Sequence, residues 1–132
     1  EVAKAATNLT TAVSDITAYY TAKGKFSTNQ KSDFTKITNA LNKKGELMVK
    51  GSTKCVTVKL PDNAMGTTGG NTNASDKVEL KLKFENTDPV CKQLMKLPGV
   101  KAMCGRSGDM ESIGTTSSSC PIQIGGSGGI QF

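Results

Sequence analysis

The sequence predicts an α+β fold in which an N-terminal amphipathic helix packs on an antiparallel β-meander of about four to five strands. Short extra helices and a disulfide-bounded C-terminal region complete it. Three features predict this fold: a helical period at the start, a two-residue period in the middle and four well-separated cysteines. A length of 132 residues fits one domain, 1–132. Its predicted parts are the helix 1–23, a connecting segment with a short helix 24–45, the meander 46–84 and the cysteine-bounded region 85–132.

The first helix is predicted from apolar residues that recur at steps of 3 and 4. Thr, Asn, Ser, Lys and Asp lie between them, so the remaining face is polar. Gly24 provides the C-terminal stop. The predicted packing stripe consists of Val2, Ala6, Leu9, Val13, Ile16 and Tyr20.

A second, short helix is predicted in the connecting segment. Ser32 or Asp33 can cap this helix, and the stretch 42–45, with two lysines before Gly45, ends it. The residues that would share its buried face are Phe34, Ile37 and Leu41.

Strands are predicted where apolar and polar residues alternate. The best alternation covers residues 78–84, and residues 55–60 show the same period. Residues 121–124 and 130–132 are predicted as short C-terminal strands around the glycine turn 125–129. The linker 61–76 is predicted as a loop because it is rich in Gly and Asn.

A further helix is predicted after the meander. Asp88 can cap it, and Pro89 suits its first position. It must stop before Pro98, because a proline restricts the residue that precedes it.

The four cysteines predict two disulfides and therefore an oxidising compartment. Their spacings of 36, 13 and 16 contain no tight pair of the kind found in four-thiolate zinc sites or redox motifs. Sequence alone permits three pairings. We favour Cys55–Cys91 together with Cys104–Cys120, because the second bond would close the Gly-, Ser- and Thr-rich segment 105–119 at its base.

Catalysis is not expected. The chain has no His, which excludes Ser-His-Asp and Cys-His arrangements and histidine-ligated zinc. No combination of acid, base and nucleophile is recognisable, so we predict no catalytic residue, metal, cofactor or small-molecule substrate. The glycines at 125–129 lack the pattern of a phosphate-binding loop.

The net charge of +6 comes almost entirely from lysine. A basic surface can attract DNA, an anionic polysaccharide or a negatively charged cell surface, although a solvated lysine-rich surface is the simpler interpretation. The candidate basic surface comprises Lys43, Lys44, Lys50, Lys54, Lys81 and Lys83.

Three stretches resemble parts of the type IV pilin family. Residues 5–20, followed by KGKFS at 23–27, resemble the C-terminal half of a pilin's first helix. Residues 88–94 resemble the C-x-x-L helix of type IVb pilins, and residues 125–132 resemble the final strand of small pilins.

This resemblance implies a pilin fold, specifically the head of a type IVa- or IVb-like pilin without its N-terminal hydrophobic half-helix. That missing part would be roughly 25 residues, enough to span a membrane. The implied function is a structural subunit of a type IV pilus that supports adhesion, twitching motility or DNA uptake. The implied partners are copies of itself in a helical filament and the pilus assembly machinery.

The implied location is the bacterial inner membrane before assembly and the extracellular pilus afterwards. The type IVb resemblance also implies a different disulfide pairing, Cys91–Cys120 with Cys55–Cys104. Two other functions remain open: a pseudopilin of a type II secretion system, and an unrelated secreted, disulfide-bonded binding module.

Overall fold

The computed structural model describes residues 1–65, 78–85, 88–104 and 118–125. The predicted strand 130–132, most of the linker 61–76 and most of the glycine turn lie outside these residues. The described elements, in chain order, are helix α1 (Val2–Lys23), helix α2 (Thr28–Ser32), a 3-10 turn (Phe34–Lys36), strands β1 (Glu46–Val49) and β2 (Thr53–Lys59), a second 3-10 turn (Asp62–Ala64), strand β3 (Val78–Phe84), helices α3 (Pro89–Lys96) and α4 (Pro98–Cys104), and strand β4 (Ser118–Gly125).

The described strands form one antiparallel sheet with the order β1-β2-β3-β4, which confirms the α+β class. Strands β2 and β3 are central, and the side chains of β3 alternate as the sequence predicts. Val78, Leu80, Leu82 and Phe84 are fully buried, whereas Lys81 and Lys83 are exposed. A strand with one buried face needs this two-residue period, because successive side chains point to opposite sides of the sheet.

Helix α1 covers the buried face of the sheet, but its packing line differs from the predicted stripe. The fully buried residues are Ala5, Leu9, Ala12 and Ile16. The other predicted members, Val2, Ala6, Val13 and Tyr20, are only half-buried and flank this line. Alanines at the centre allow the helix backbone to approach the sheet closely, so the largest apolar residues need not mark the closest contact.

Two aromatic contacts fix the end of α1. The rings of Tyr19 and Tyr20 stack on Phe26, with centroid distances of 5.8 and 5.7 Å. A Cβ atom at Gly125, the last residue of β4, would lie 2.6 Å from the Tyr20 ring. The end of the helix and the end of the edge strand therefore meet where only a glycine leaves room.

The predicted second helix is wrong in its position. Helix α2 comes earlier, with Ser27 and Gln30 forming a capping box, and only a short 3-10 turn starts at Phe34. Asp33 has extended backbone angles, and its carboxylate accepts hydrogen bonds from the backbone and the hydroxyl of Thr35. Asp33 is therefore a cap, as predicted, but it caps the 3-10 turn. The extended backbone of Asp33 separates this turn from α2.

The region after α3 contains a helix that the sequence did not predict. Leu97 is extended, as expected for the residue before a proline, and α3 ends there. Pro98 then starts α4, because a proline suits the first helical position. The proline therefore separates two helices rather than ending the helical region.

Candidate interaction surfaces

Two disulfides connect the helices to the sheet. Cys55–Cys91 joins β2 to α3, and Cys104–Cys120 joins α4 to β4. All four cysteines are buried. These are the two pairs favoured from the sequence, and the alternative pairing implied by the type IVb resemblance is not formed. The bonds hold the α3–α4 unit against the sheet.

The outward face of α1 consists of small, uncharged side chains. Between Lys4 and Lys23 the only charged residue is Asp15. Its carboxylate accepts a 2.8 Å hydrogen bond from the hydroxyl of Thr38, which is itself buried. The side chains exposed along this interval, which we call the outer stripe of α1, belong to Thr7, Thr10, Thr11, Ser14, Ala18, Thr21 and Ala22.

Surface helices usually present charged residues to water. A helix of 22 residues is about 33 Å long, and here nearly all of that length lacks a free charge on its exposed side. Side chains of this size allow another helix to approach closely.

Three lysines lie together on the solvent face of the sheet. Lys59 of β2 is directly opposite Lys81 of β3, and Lys83 is two residues further along the same face. We call these residues the sheet lysine patch. Directly opposite side chains have Cβ atoms about 5 Å apart, and diagonal neighbours are about 7–8 Å apart. Like charges at such positions destabilise a sheet.

The neighbours of the patch on β4 are neutral. Lys81 is opposite Pro121, and Lys83 is opposite Ser119. Neither Lys81 nor Lys83 has a carboxylate within 4.0 Å among the described residues. Lys59 shares the exposed carboxylate of Asp62, 3.8 Å away, with Lys31, whose ammonium lies 3.6 Å from it.

The other predicted basic residues do not join this patch in one uniform surface. The ammonium group of Lys54 lies 3.8 Å from Glu46 and 3.5 Å from Glu85, so its charge is balanced. Lys43 and Lys44 are exposed in the turn before β1. The candidate basic surface does not include Lys59, although its position between the buried Val58 and Leu60 places it on the solvent face.

Lys50 forms an ion pair instead. It lies in the β1–β2 turn, and its ammonium is 3.2 Å from the carboxylate of Asp88, the N-cap of α3. Partial burial acts to raise the pKa of Asp88, but the hydrogen bond from the Val90 N–H and the charge of Lys50 outweigh it, so that pKa is lowered. The pair connects the hairpin to the helix that carries Cys91.

Neither a membrane span nor a metal site is found in the part of the chain that the structure describes. None of its helices is long and apolar enough to cross a bilayer. No group of three or more acidic or cysteine side chains is placed there to hold a metal ion.

Comparison with known proteins gives no relative of this chain. It matches no protein-family model, no curated protein and no solved structure.

Proposed function

We propose that this chain is the head domain of a pilin-like subunit of a type IV pilus filament on a bacterial surface. The outer stripe of α1 is the observation that carries the proposal. Its side chains are small and uncharged over most of the helix, and its one internal charge is already hydrogen-bonded within the domain. A second copy of the helix can therefore approach without burying an unpaired charge.

The fold provides further support. A long N-terminal helix lies on a four-stranded antiparallel sheet, and disulfides tie the C-terminal helices to that sheet. Repetition of one subunit by a contact that does not close produces an open helical fibre. Copies of this chain and the inner-membrane assembly machinery are the proposed partners, and the extracellular fibre is its proposed final location.

Within a filament, the apolar half-helix proposed to precede residue 1 would pack in the core. The outer stripe would extend that contact to neighbouring subunits. Adhesion, twitching motility and DNA uptake are the activities that such a fibre would support.

The proposal is tested with Ser14→Glu in the full-length gene, expressed in a strain that lacks the native copy. Glutamate is a good helix former, so the head should fold normally. A charge at the centre of the outer stripe would have to be buried between subunits. We expect the subunit to accumulate at its normal level while surface fibres, counted by electron microscopy, are lost.

Ser52→Glu is the matched control, because Ser52 is exposed in the β1–β2 turn and the chemical change is the same. Fibres should be retained in this variant. Normal fibres in Ser14→Glu would contradict the proposed packing. A gene in which an ordinary secretion signal directly precedes residue 1 would contradict the pilin assignment itself. Unchanged fibres but lost protein secretion in the deletion strain would indicate a secretion pseudopilin instead.

A further inference from the structure

The sheet lysine patch has a cost in folding stability. Among the described residues, the only carboxylate within 4.0 Å of its ammonium groups is that of Asp62, which is exposed and shared with Lys31. Lys59 and Lys81 face each other across β2 and β3, where an uncharged pair would be more stable. Elsewhere on the same sheet the lysine charge is balanced, because Lys54 lies between two glutamates. On the part of the solvent face that the structure describes, Lys81 and Lys83 therefore have no carboxylate within 4.0 Å, and Lys59 shares one with Lys31.

We propose that the sheet lysine patch binds an anionic polysaccharide. The three lysines occupy neighbouring positions on the solvent face of the β2–β3 pair. The Cα atoms of Lys81 and Lys83 lie about 7 Å apart along β3. Such a compact group of cations suits a polymer that carries several sulfate or carboxylate groups on adjacent sugar units. The β4 residues paired with Lys81 and Lys83 are Pro121 and Ser119, and neither of these residue types carries a carboxylate.

The composition of this face favours a polysaccharide over a nucleic acid. Base reading in duplex DNA relies largely on arginine, and single strands are bound by stacking on aromatic rings. The solvent face of the described strands has neither residue type. Tight nonspecific duplex binding uses about six to ten phosphate contacts, more than three lysines provide.

Two carboxylates limit the extent of the patch. Glu79 lies on the same face of β3, opposite Gln123, and Asp62 lies beside Lys59. The binding surface is accordingly small, and its affinity for one polymer segment should be modest and should fall with increasing salt. This inference concerns the isolated head and does not depend on filament assembly.

The test compares two triple variants of the purified head by calorimetry, with a heparin oligosaccharide as the probe. The patch variant carries Lys59→Gln, Lys81→Gln and Lys83→Gln. The control carries Lys92→Gln, Lys96→Gln and Lys101→Gln, which removes the same charge from exposed positions on α3 and α4. We expect the patch variant to bind about tenfold more weakly, and the control to change less than about threefold.

A single variant, Lys81→Thr, separates binding from folding. Threonine suits a strand and removes the repulsion with Lys59, so this variant should unfold at a higher urea concentration yet bind heparin more weakly. Equal losses in both triple variants would show that only net charge matters and would overturn the proposal. The proposal would also be overturned if the unmodified head did not bind heparin. A short DNA duplex bound as tightly as heparin, with the same lysine dependence, would overturn it in favour of nucleic acid.

Discussion

Removing the Cys55–Cys91 bond should be one of the most destabilising changes that leaves the surface intact. The bond closes a loop with a sequence separation of 36 residues and connects the centre of the sheet to α3. Replacing both cysteines by alanine keeps the site uncharged and frees this loop in the unfolded chain. The loop-entropy relation gives a loss of about 3.8 kcal/mol at about 25 °C.

That loss is large relative to the total stability of a domain, about 5–15 kcal/mol. Urea unfolding followed by far-UV circular dichroism measures it directly. The denaturant dependence of the unfolding free energy should also increase, because the unfolded chain expands and exposes more surface. A loss below about 1 kcal/mol with an unchanged denaturant dependence would refute the reasoning.

The Cys104–Cys120 bond is the matched comparison. Its sequence separation is 16 residues, for which the same relation gives about 3.1 kcal/mol. The two loops do not overlap in sequence, so their effects should add. A variant without both bonds would lose about 7 kcal/mol, and we expect it to be largely unfolded.

Three further changes test the core, a turn and a charge. Ile16→Ala should cost about 2–5 kcal/mol in urea unfolding and Val13→Ala clearly less, because Ile16 is fully buried and Val13 only half-buried. Gly45→Ala should cost about 1–3 kcal/mol more than Gly51→Ala. Both glycines have positive φ, 81° and 84°, but only at Gly45 would a Cβ lie 2.7 Å from an aromatic carbon. Because the pKa of Asp88 is lowered, the folded state should become less stable as the pH falls below about 4. Asp88→Asn should reduce this pH dependence of stability, measured by thermal melts across the acid range.

The direction in which Asp88 changes stability with pH follows from the number of protons bound in the folded and unfolded states. With a lowered pKa in the folded state, the unfolded state binds more protons in the acid range, so stability rises with pH there. Asparagine also caps helices well, so Asp88→Asn retains the cap while it removes the charge. If the stability of Asp88→Asn changed with acid pH as much as that of the unmodified protein, the lowered pKa would not be the cause.

Equal losses of stability in Ile16→Ala and Val13→Ala would contradict the packing line of α1. Equal losses in Gly45→Ala and Gly51→Ala would contradict the steric conflict at Gly45.

Elements whose cause is local were predictable from the sequence. The alternation in β3, the cap at Asp88 and the stop at Gly24 each depend on residues a few positions apart. The second helix was placed incorrectly for a related reason. Asp33 suits both a helix cap and an extended break, and short polar side chains stabilise either conformation.

The candidate surfaces were only partly predictable. The two-residue period predicts that the lysines of β3 are exposed to solvent, but it does not predict Lys59 as their neighbour. The pairing register of two strands depends on contacts between residues that are distant in the chain. Likewise, the charge balance of Lys54 and the ion pair of Lys50 involve partners from other elements.

The sequence by itself determined the α+β class, the long first helix, the period of the strands and the absence of histidine chemistry. Only the tertiary structure decided which cysteines pair, which line of α1 is buried and which lysines lie beside a carboxylate among the described residues. The physical reason is the same in each case. Backbone preference and hydrophobic period act between near neighbours, whereas bonds, burial and charge pairing depend on which distant segments the fold brings together.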